Sequence, residues 1–186
     1  MARISYVEDA VYQERLGSPQ VANLLRVLFH SPQWAEAFVR LAGAQMSVLS
    51  LPARDRELVI LQVGHMRRAD YVVAQHEGIA DILGIPAEQR EALRTGDFAN
   101  PAFSDRDKAL IHLVAVLINT GAADATTLNA AKRFFSEAEL VEIVGVQGFA
   151  ATVAAITRSF EIDIDPVSAE DLLRFSKAVG ADQPRA

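Results

Sequence analysis

Apolar residues recur every three or four positions along most of the chain, and short polar or proline-containing segments separate these runs. This spacing places apolar side chains on one face of a helix, whereas a half-buried strand alternates every second residue. After Ser31-Pro32, for example, Trp34, Phe38 and Leu41 fall on one helical face. Serine can cap a helix start, and proline lacks the N–H that would be unsatisfied in the first turn. Ser18-Pro19 repeats this pattern.

The centre of the chain predicts two helices joined by a break. Leu51-Pro52 begins the first helix, and we expect it to end between residues 64 and 68. Asp70 is the expected cap of the second helix, because an aspartate oxygen can accept a bond from an orphan N–H of the first turn. This second helix continues to about Ile82 and stops at Gly84.

Capping signals predict three more helices in the second half. In Ser104-x-x-Asp107 and in Ser136-x-x-Glu139, each side chain can satisfy the backbone N–H of the other residue. Asp124 predicts a short helix between them. The second box leads into the longest nearly apolar stretch, residues 140–156. We interpret this stretch as a core or interface helix, since it is short for a membrane span and contains Glu142.

Together these patterns predict an all-α fold in a single domain. Residues 161–165 alternate like a strand, but no second segment offers a partner, so we expect an extended tail segment there. We expect three regions within the domain: an N-terminal helical extension (1–50), a core (51–165) and a C-terminal helix and tail (166–186).

A weak internal repeat lies within this pattern. Glu57-Leu58-Val59-Ile60 resembles Glu139-Leu140-Val141-Glu142, and each follows a capped helix start. The bundle therefore either derives from two helical repeats or contains a chance match of common helix residues.

Composition limits the classes of function. Hydrophobic residues make up 51% of the 186 residues, which is enough for a sizeable core. The mean hydropathy of +0.14 is high for a soluble monomer, so we expect a homo-oligomer that buries apolar surface. The net charge of −6 and the lack of a basic block argue against a nucleic-acid partner. Without an evident secretion signal or membrane span, we expect a cytoplasmic protein without a membrane partner.

Glu57 and His76 are the candidate catalytic pair. An imidazole is the natural general base near neutral pH, although a half-buried histidine bonded to a carbonyl is the alternative for His76. On one continuous helix their separation of 19 residues would turn them roughly 100° apart, whereas two helices around a break can turn both side chains into one crevice. For Glu57 the alternative is a carboxylate on the wet face of its helix, paired with Arg54, Arg56 or Arg68.

Three further side chains are candidates for substrate contact. The hydroxyl of Tyr71 can donate a hydrogen bond to a substrate oxygen, or the ring can pack in the core. Arg68 lies in the predicted break and can hold a carboxylate, although solvated charge is the alternative. His65 is close enough in sequence to line the same crevice. The histidines form no metal-binding spacing, so we expect no metal ion and no cofactor.

One run of residues in the middle of the chain has a familiar spacing: Arg56-Glu57-Leu58-Val59-Ile60-Leu61, then Tyr71, Ala74, Gln75-His76 and Ile79-Ala80. With this run, the chain resembles the carboxymuconolactone decarboxylase-like superfamily, which includes alkyl hydroperoxidase D-like (AhpD-like) proteins. The resemblance covers about residues 21–163. It implies an AhpD-like helical bundle that assembles as a homo-oligomer, often a trimer or hexamer.

The same resemblance identifies what this chain lacks. Peroxidase members use a Cys-x-x-Cys pair at a helix start, a histidine four residues later and a glutamate on the preceding helix. By spacing, the histidine matches His76 and the glutamate matches Glu57, while the cysteine positions hold Ala69 and Val72. The chain contains no cysteine, so we do not expect thiol peroxidase chemistry. Cysteine-free relatives often carry Glu-Trp after the tyrosine, where this chain has Val72 and Val73.

Three hypotheses for function follow. The first is a cofactor-free acid–base enzyme, a decarboxylase or isomerase acting on a small organic acid or lactone, with His76 as general acid/base and Glu57 orienting it. The second is a catalytically silent oligomeric binding or scaffold protein that retains the fold. The third is a peroxidase-related oxidoreductase auxiliary.

Overall fold

The computed structural model describes residues 2–16, 22–165 and 167–174 of the chain. Helices and their connections account for all of these residues, and no strand occurs among them. The prediction of an all-α fold is therefore confirmed. The helices are α1 (Asp9–Leu16), α2 (Asn23–Leu28), α3 (Pro32–Ser47), α4 (Ala53–Met66), α5 (Asp70–Ile82), α6 (Ala87–Thr95), α7 (Asp105–Thr120), α8 (Ala125–Ala131), α9 (Glu137–Ser159) and a further helical segment at 169–174.

The predicted capping boxes form. At the start of α7, the Ser104 hydroxyl accepts from the Asp107 N–H at 3.1 Å, and the Asp107 carboxylate accepts from the Ser104 N–H at 3.1 Å. Ser136 and Glu139 make the equivalent pair of bonds before α9, at 3.2 and 2.7 Å. Asp124 caps α8 by accepting from a backbone N–H. These short-range signals locate the helix starts because the bonds involve residues only three positions apart.

Two predicted caps form differently. Ser31 occupies the N-cap of α3, but its side chain makes no capping bond. The N-cap of α5 is Ala69 rather than Asp70, which becomes the first helical residue. Its carboxylate still lies in the first turn, where the positive end of the helix dipole favours negative charge. Ser18-Pro19 and the predicted end of the last helix lie outside the described residues.

The chain forms two compact units, Met1–Val48 with Ile156–Ala186, and Leu49–Ala155. In the first unit, the N-terminal segment is tied to the residues that follow α9. The Tyr6 hydroxyl donates to Asp163 at 3.1 Å, and the Asn23 backbone N–H donates to Asp165 at 3.0 Å. These bonds fix the 161–165 segment through its side chains, without a strand partner.

The second unit is built around α4. Residues 55–64 are all buried, because α4 packs against α5, α6 and α7. Its apolar side chains belong to a core that also contains Ile143, Val146 and Ala150 of α9. A helix covered on every side must bury any polar residue it carries, and such residues then need partners.

Ion pairs fix the N-terminal end of α4. The guanidinium of Arg54 donates to both oxygens of Asp107, at 2.7 and 3.2 Å. Arg106 donates to Asp55 at 2.8 Å and packs over the ring of Phe135, 4.1 Å from its centroid. These contacts join α4 to α7, and so set the rotation of α4 about its axis.

A tight turn joins α4 to α5 at the predicted break. The Ala69 N–H donates to the Gly64 carbonyl at 2.8 Å, and the Arg68 N–H donates to the His65 carbonyl at 3.0 Å. This is the Schellman arrangement, which places Arg68 in the left-handed region at φ 53°. The turn reverses the chain, so that α5 packs back along α4.

Helix α9 is long and apolar enough to cross a membrane by length and composition. Its most apolar window has a mean hydropathy of 1.7, and 33% of that window is buried. A core helix passes the same test, and the buried side of α9 does join the core of the second unit.

Candidate functional site

Glu57 lies on α4 with none of its side chain exposed to water. The interpretation of Glu57 as a carboxylate on a wet helix face is therefore wrong. A buried carboxylate is costly unless charged or hydrogen-bonding partners surround it. The structure supplies two such partners, one at each carboxylate oxygen.

The first partner is His76 on α5. Its Nδ1 lies 2.7 Å from Oε2 of Glu57, and 19% of its side chain is exposed. The turn between α4 and α5 produces this contact, because it brings residues 19 positions apart onto facing helix surfaces. His76 thus joins a buried carboxylate on one side to the protein surface on the other.

The bond to Glu57 links the proton position in the neutral His76 ring to the state of the carboxyl group. With an ionised carboxylate, which has no hydrogen to donate, Nδ1 is the donor. The neutral ring then has an unprotonated Nε2, which can accept a proton. Among the described residues, no hydrogen bond engages Nε2, so this nitrogen is available to a ligand.

The second partner is Arg56, which the sequence suggested only as a surface partner for Glu57. Its Nε and Nη2 each lie 3.4 Å from Oε1 of Glu57, and only 5% of its side chain is exposed. The sequence did contain a signal for this contact, because Arg56-Glu57 directly precedes the apolar run Leu58–Leu61. A helix that is buried on all sides must bury both of these charges together.

Tyr71 and Arg68 occupy different positions relative to the pair. Tyr71 is buried on α5, and its position five residues before His76 lies roughly 140° around the helix. Arg68 is exposed in the turn, and its side chain makes no hydrogen bond to any described residue. The roles of Tyr71 and Arg68 in substrate contact stay predictions.

His65 belongs to a separate cluster near the end of α4. Its Nε2 is 4.0 Å from Oε1 of Glu77, and the other oxygen of Glu77 accepts from Arg90 at 3.2 Å. Burial lowers the pKa of His65, and the nearby carboxylate of Glu77 opposes this effect in part. Its position is eight residues after Glu57, about 12 Å further along the axis of α4.

The two positions that match the cysteines lie beside His76. Ala69 is the N-cap of α5, and Val72 lies one turn before His76 on the same helical face. Both residues are buried. The two positions that match the cysteines therefore hold buried hydrocarbon side chains on the same helix as His76. Within the described part of the chain, no group of three or more His, Asp or Glu residues is arranged to hold a metal ion.

Comparison with known families and structures agrees with this architecture. The model of the Carboxymuconolactone decarboxylase family matches residues 32–89, which include Arg56, Glu57 and His76. No protein with a curated description matches the sequence significantly.

Several solved structures have a similar fold. A peroxidase-related protein with an alkylhydroperoxidase AhpD core from Ralstonia eutropha JMP134 has a TM-score of 0.77 and 15% identity, covering 95% of this chain and 96% of its own. A peroxidase-related protein from Silicibacter sp. TM1040 has a TM-score of 0.72 and 16% identity, covering 86% and 84%.

A third similar structure has a different described activity. It is a cysteine-to-alanine variant of the debrominase Bmp8 in complex with 2,3,4-tribromopyrrole, with a TM-score of 0.71 and 14% identity, covering 92% of this chain and 96% of its own. At these identities the likeness establishes the fold and not the activity. Residues 32–89 thus match the Carboxymuconolactone decarboxylase family, and the fold is similar to that of AhpD-like proteins, while the chain contains no Cys-x-x-Cys pair.

Proposed function

We propose that the protein is a cofactor-free acid–base enzyme, a decarboxylase or isomerase acting on a small organic acid or lactone. The observation that carries the proposal is the 2.7 Å bond between His76 Nδ1 and the fully buried carboxylate of Glu57. This arrangement resembles the base-and-orienting-group pairs of known acid–base enzymes, in which a carboxylate fixes the imidazole and stabilises the imidazolium.

In a decarboxylation, His76 acts as the general acid. The bond between the carboxylate carbon and its neighbour breaks, carbon dioxide leaves, and the electron pair remains on the substrate as a dienolate. The imidazolium Nε2–H then donates its proton to that carbon and becomes neutral. A proton from solvent restores the imidazolium for the next turnover.

In an isomerisation, His76 acts first as the base. Neutral Nε2 takes a proton from a carbon beside a carbonyl group, which leaves an enolate and an imidazolium. The imidazolium returns the proton to a different carbon of the substrate. In both reactions Glu57 stays ionised and holds the ring through Nδ1. Arg68, Tyr71 and His65 stay predicted substrate contacts, with Arg68 the group suited to a carboxylate.

Solvent deuterium exchange into small lactones and keto acids tests the proposal without a known product. We expect His76→Ala and Glu57→Gln to lower the exchange or turnover rate by roughly 10²- to 10⁴-fold, the usual contribution of a positioned acid or base. His112→Ala and Glu137→Gln are matched controls, because both residues are exposed on other helices. Full activity in both site variants would contradict the proposal.

A silent binding or scaffold protein is the second candidate. The hydrocarbon side chains of Ala69, Val72 and Val73 favour it, because they remove polar groups from the surroundings of His76. Under this hypothesis the wild-type protein converts none of the substrates. The third candidate, a peroxidase-related auxiliary, requires an external thiol, since this chain has none. The cytoplasmic location and the assembly into a trimer or hexamer stay predictions.

A further inference from the structure

We propose that Arg56 is a positioning residue of this site: it holds Glu57 as a carboxylate and thereby keeps Nε2 of His76 unprotonated in the neutral ring. The catalytic consequence rests on the proposed function, whereas the effect on the proton position does not. None of the sequence signals assigned Arg56 to the site.

The geometry divides the two oxygens of Glu57 between different partners. Nε and Nη2 of Arg56 both donate to Oε1, at 3.4 Å each. Oε2 instead lies 2.7 Å from Nδ1 of His76. The shorter bond is the one to the imidazole. The positive charge of Arg56 therefore lies at Oε1, and Oε2 remains the oxygen that orients the ring. Neighbouring residues on a helix normally point apart, and the Arg56 side chain must curl back to reach Glu57.

Burial of the pair carries a cost. Both charges are transferred out of water, and the 3.4 Å contacts between Arg56 and Glu57 are longer than charge-assisted hydrogen bonds usually are. An apolar pair of similar volume would fit a helix buried on all sides at lower cost. Ionisable groups that combine burial with a specific charged partner are more frequent at functional sites.

The charge of Arg56 decides between two arrangements of protons. With the guanidinium present, Glu57 is an anion that accepts from Nδ1, and Nε2 has a free lone pair. Without it, the buried carboxyl favours the neutral acid, because desolvation disfavours the charged form. A neutral acid would donate to Nδ1, and the proton of the neutral ring would then lie on Nε2. The site would lose its base without any change in the position of His76.

Nitrogen NMR on the full-length protein labelled with ¹⁵N-histidine tests this inference directly. The chain has 4 histidines, and His76→Ala identifies the signals of His76. The ring nitrogen shifts report which nitrogen carries the hydrogen in the neutral form. We expect the Nδ1–H form in the wild type, the Nε2–H form as the major species in Arg56→Met, and the Nδ1–H form again in Arg56→Lys.

Arg54→Met is the matched control, because Arg54 is on the same helix but bonds to Asp107 and Gln89. We expect it to lower the denaturant midpoint while leaving the His76 tautomer unchanged. An Nδ1–H form that persists in folded Arg56→Met would overturn the inference, as would an Nε2–H form in the wild type. If Arg56→Met does not fold, Arg56→Gln, which removes the charge but keeps a polar side chain, takes its place with the same expected Nε2–H form.

Activity separates this inference from the proposed function. If the tautomer inverts in Arg56→Met but no substrate is ever converted, the positioning role holds and the proposed enzyme is wrong. If the wild-type enzyme is active, we expect Arg56→Met to lower kcat by about the same 10²- to 10⁴-fold as Glu57→Gln, and Arg56→Lys to restore much of it.

Discussion

At the scale of single residues, burial gives ordinary side chains different chemical roles. Glu57 is fully buried between Arg56 and His76, while Glu77 is partly exposed and pairs with Arg90. Both are glutamates on neighbouring helices of one unit, but only Glu57 lies out of water with its oxygens divided between a permanent cation and an imidazole. The two histidines differ accordingly: Nδ1 of His76 lies 2.7 Å from Glu57, whereas Nε2 of His65 lies 4.0 Å from Glu77.

His65 makes stability depend on pH. Burial lowers its pKa below the ordinary value of 6.5, so the unfolded chain binds more protons between the two values. Its contribution to the free energy of unfolding is fully present above pH 6.5 and is lost as the pH falls toward the folded-state value. We expect urea unfolding from about pH 8 to about pH 5 to show this loss in the wild type and a flatter profile in His65→Gln.

The control for this prediction is His112→Gln, because His112 is exposed on α7. Its pH profile should parallel that of the wild type, since other titrating groups are common to both proteins. Parallel profiles for wild type and His65→Gln would show that burial of His65 does not affect stability in this range.

At the scale of helices, the contact between α4 and α5 depends on a small residue. A Cβ atom at Gly64 would lie 3.0 Å from Cγ2 of Val73 and 3.4 Å from Cγ1 of Val72. The first of these distances is too short for unstrained packing, and a β-branched side chain has little rotamer freedom to move away. Gly64 therefore lets α5 approach closely enough for His76 to reach Glu57.

Gly64→Ala tests this close approach. Overpacking costs about 1–3 kcal/mol, and the gain in helix propensity offsets about 0.5–1 kcal/mol of it. We expect a net loss of about 1 kcal/mol in the free energy of unfolding, measured by urea denaturation. The double variant Gly64→Ala/Val73→Ala should lose less free energy of unfolding than the sum of the losses in the two single variants. The reason is that Val73→Ala removes the methyl groups that the new Cβ atom would meet. Strict additivity would contradict the packing explanation.

At the scale of the whole molecule, one side of α9 carries exposed apolar side chains. Val141 is 74% exposed, and Val144 is also exposed. Gly145 and Gly148 follow on the same side, with open space where a Cβ atom would lie. Only 33% of the apolar window of this helix is buried within one chain, so the predicted homo-oligomer would have apolar surface to cover here.

Val141→Glu tests whether the oligomer uses this surface. A charge at the centre of an apolar interface carries a desolvation cost, so we expect the variant to dissociate at concentrations where the wild type is assembled. Light scattering coupled to size exclusion measures the mass of both proteins. Asn129→Glu on α8 is the control, since Asn129 is already exposed and polar. A wild-type protein that is monomeric throughout would contradict the prediction of a homo-oligomer.

The sequence determined the features that depend on short-range bonding and on composition. Ser104, Asp107, Ser136 and Glu139 locate two helix starts, because a capping box needs only residues three positions apart. The chain's lack of cysteine excludes thiol chemistry of its own without any coordinates. The spacing of Glu57 and His76 also required a break between their helices, and the structure places a turn there.

Only the tertiary structure decided which polar residues lose contact with water. Arg56 and Glu57 are part of an ordinary helix pattern until α5, α6 and α7 pack around α4, and that packing buries both charged side chains. The same packing separates His65 from the pair and places Tyr71 on another side of α5. These outcomes depend on contacts between distant segments, and helix periodicity carries no information about which face each neighbouring helix will cover.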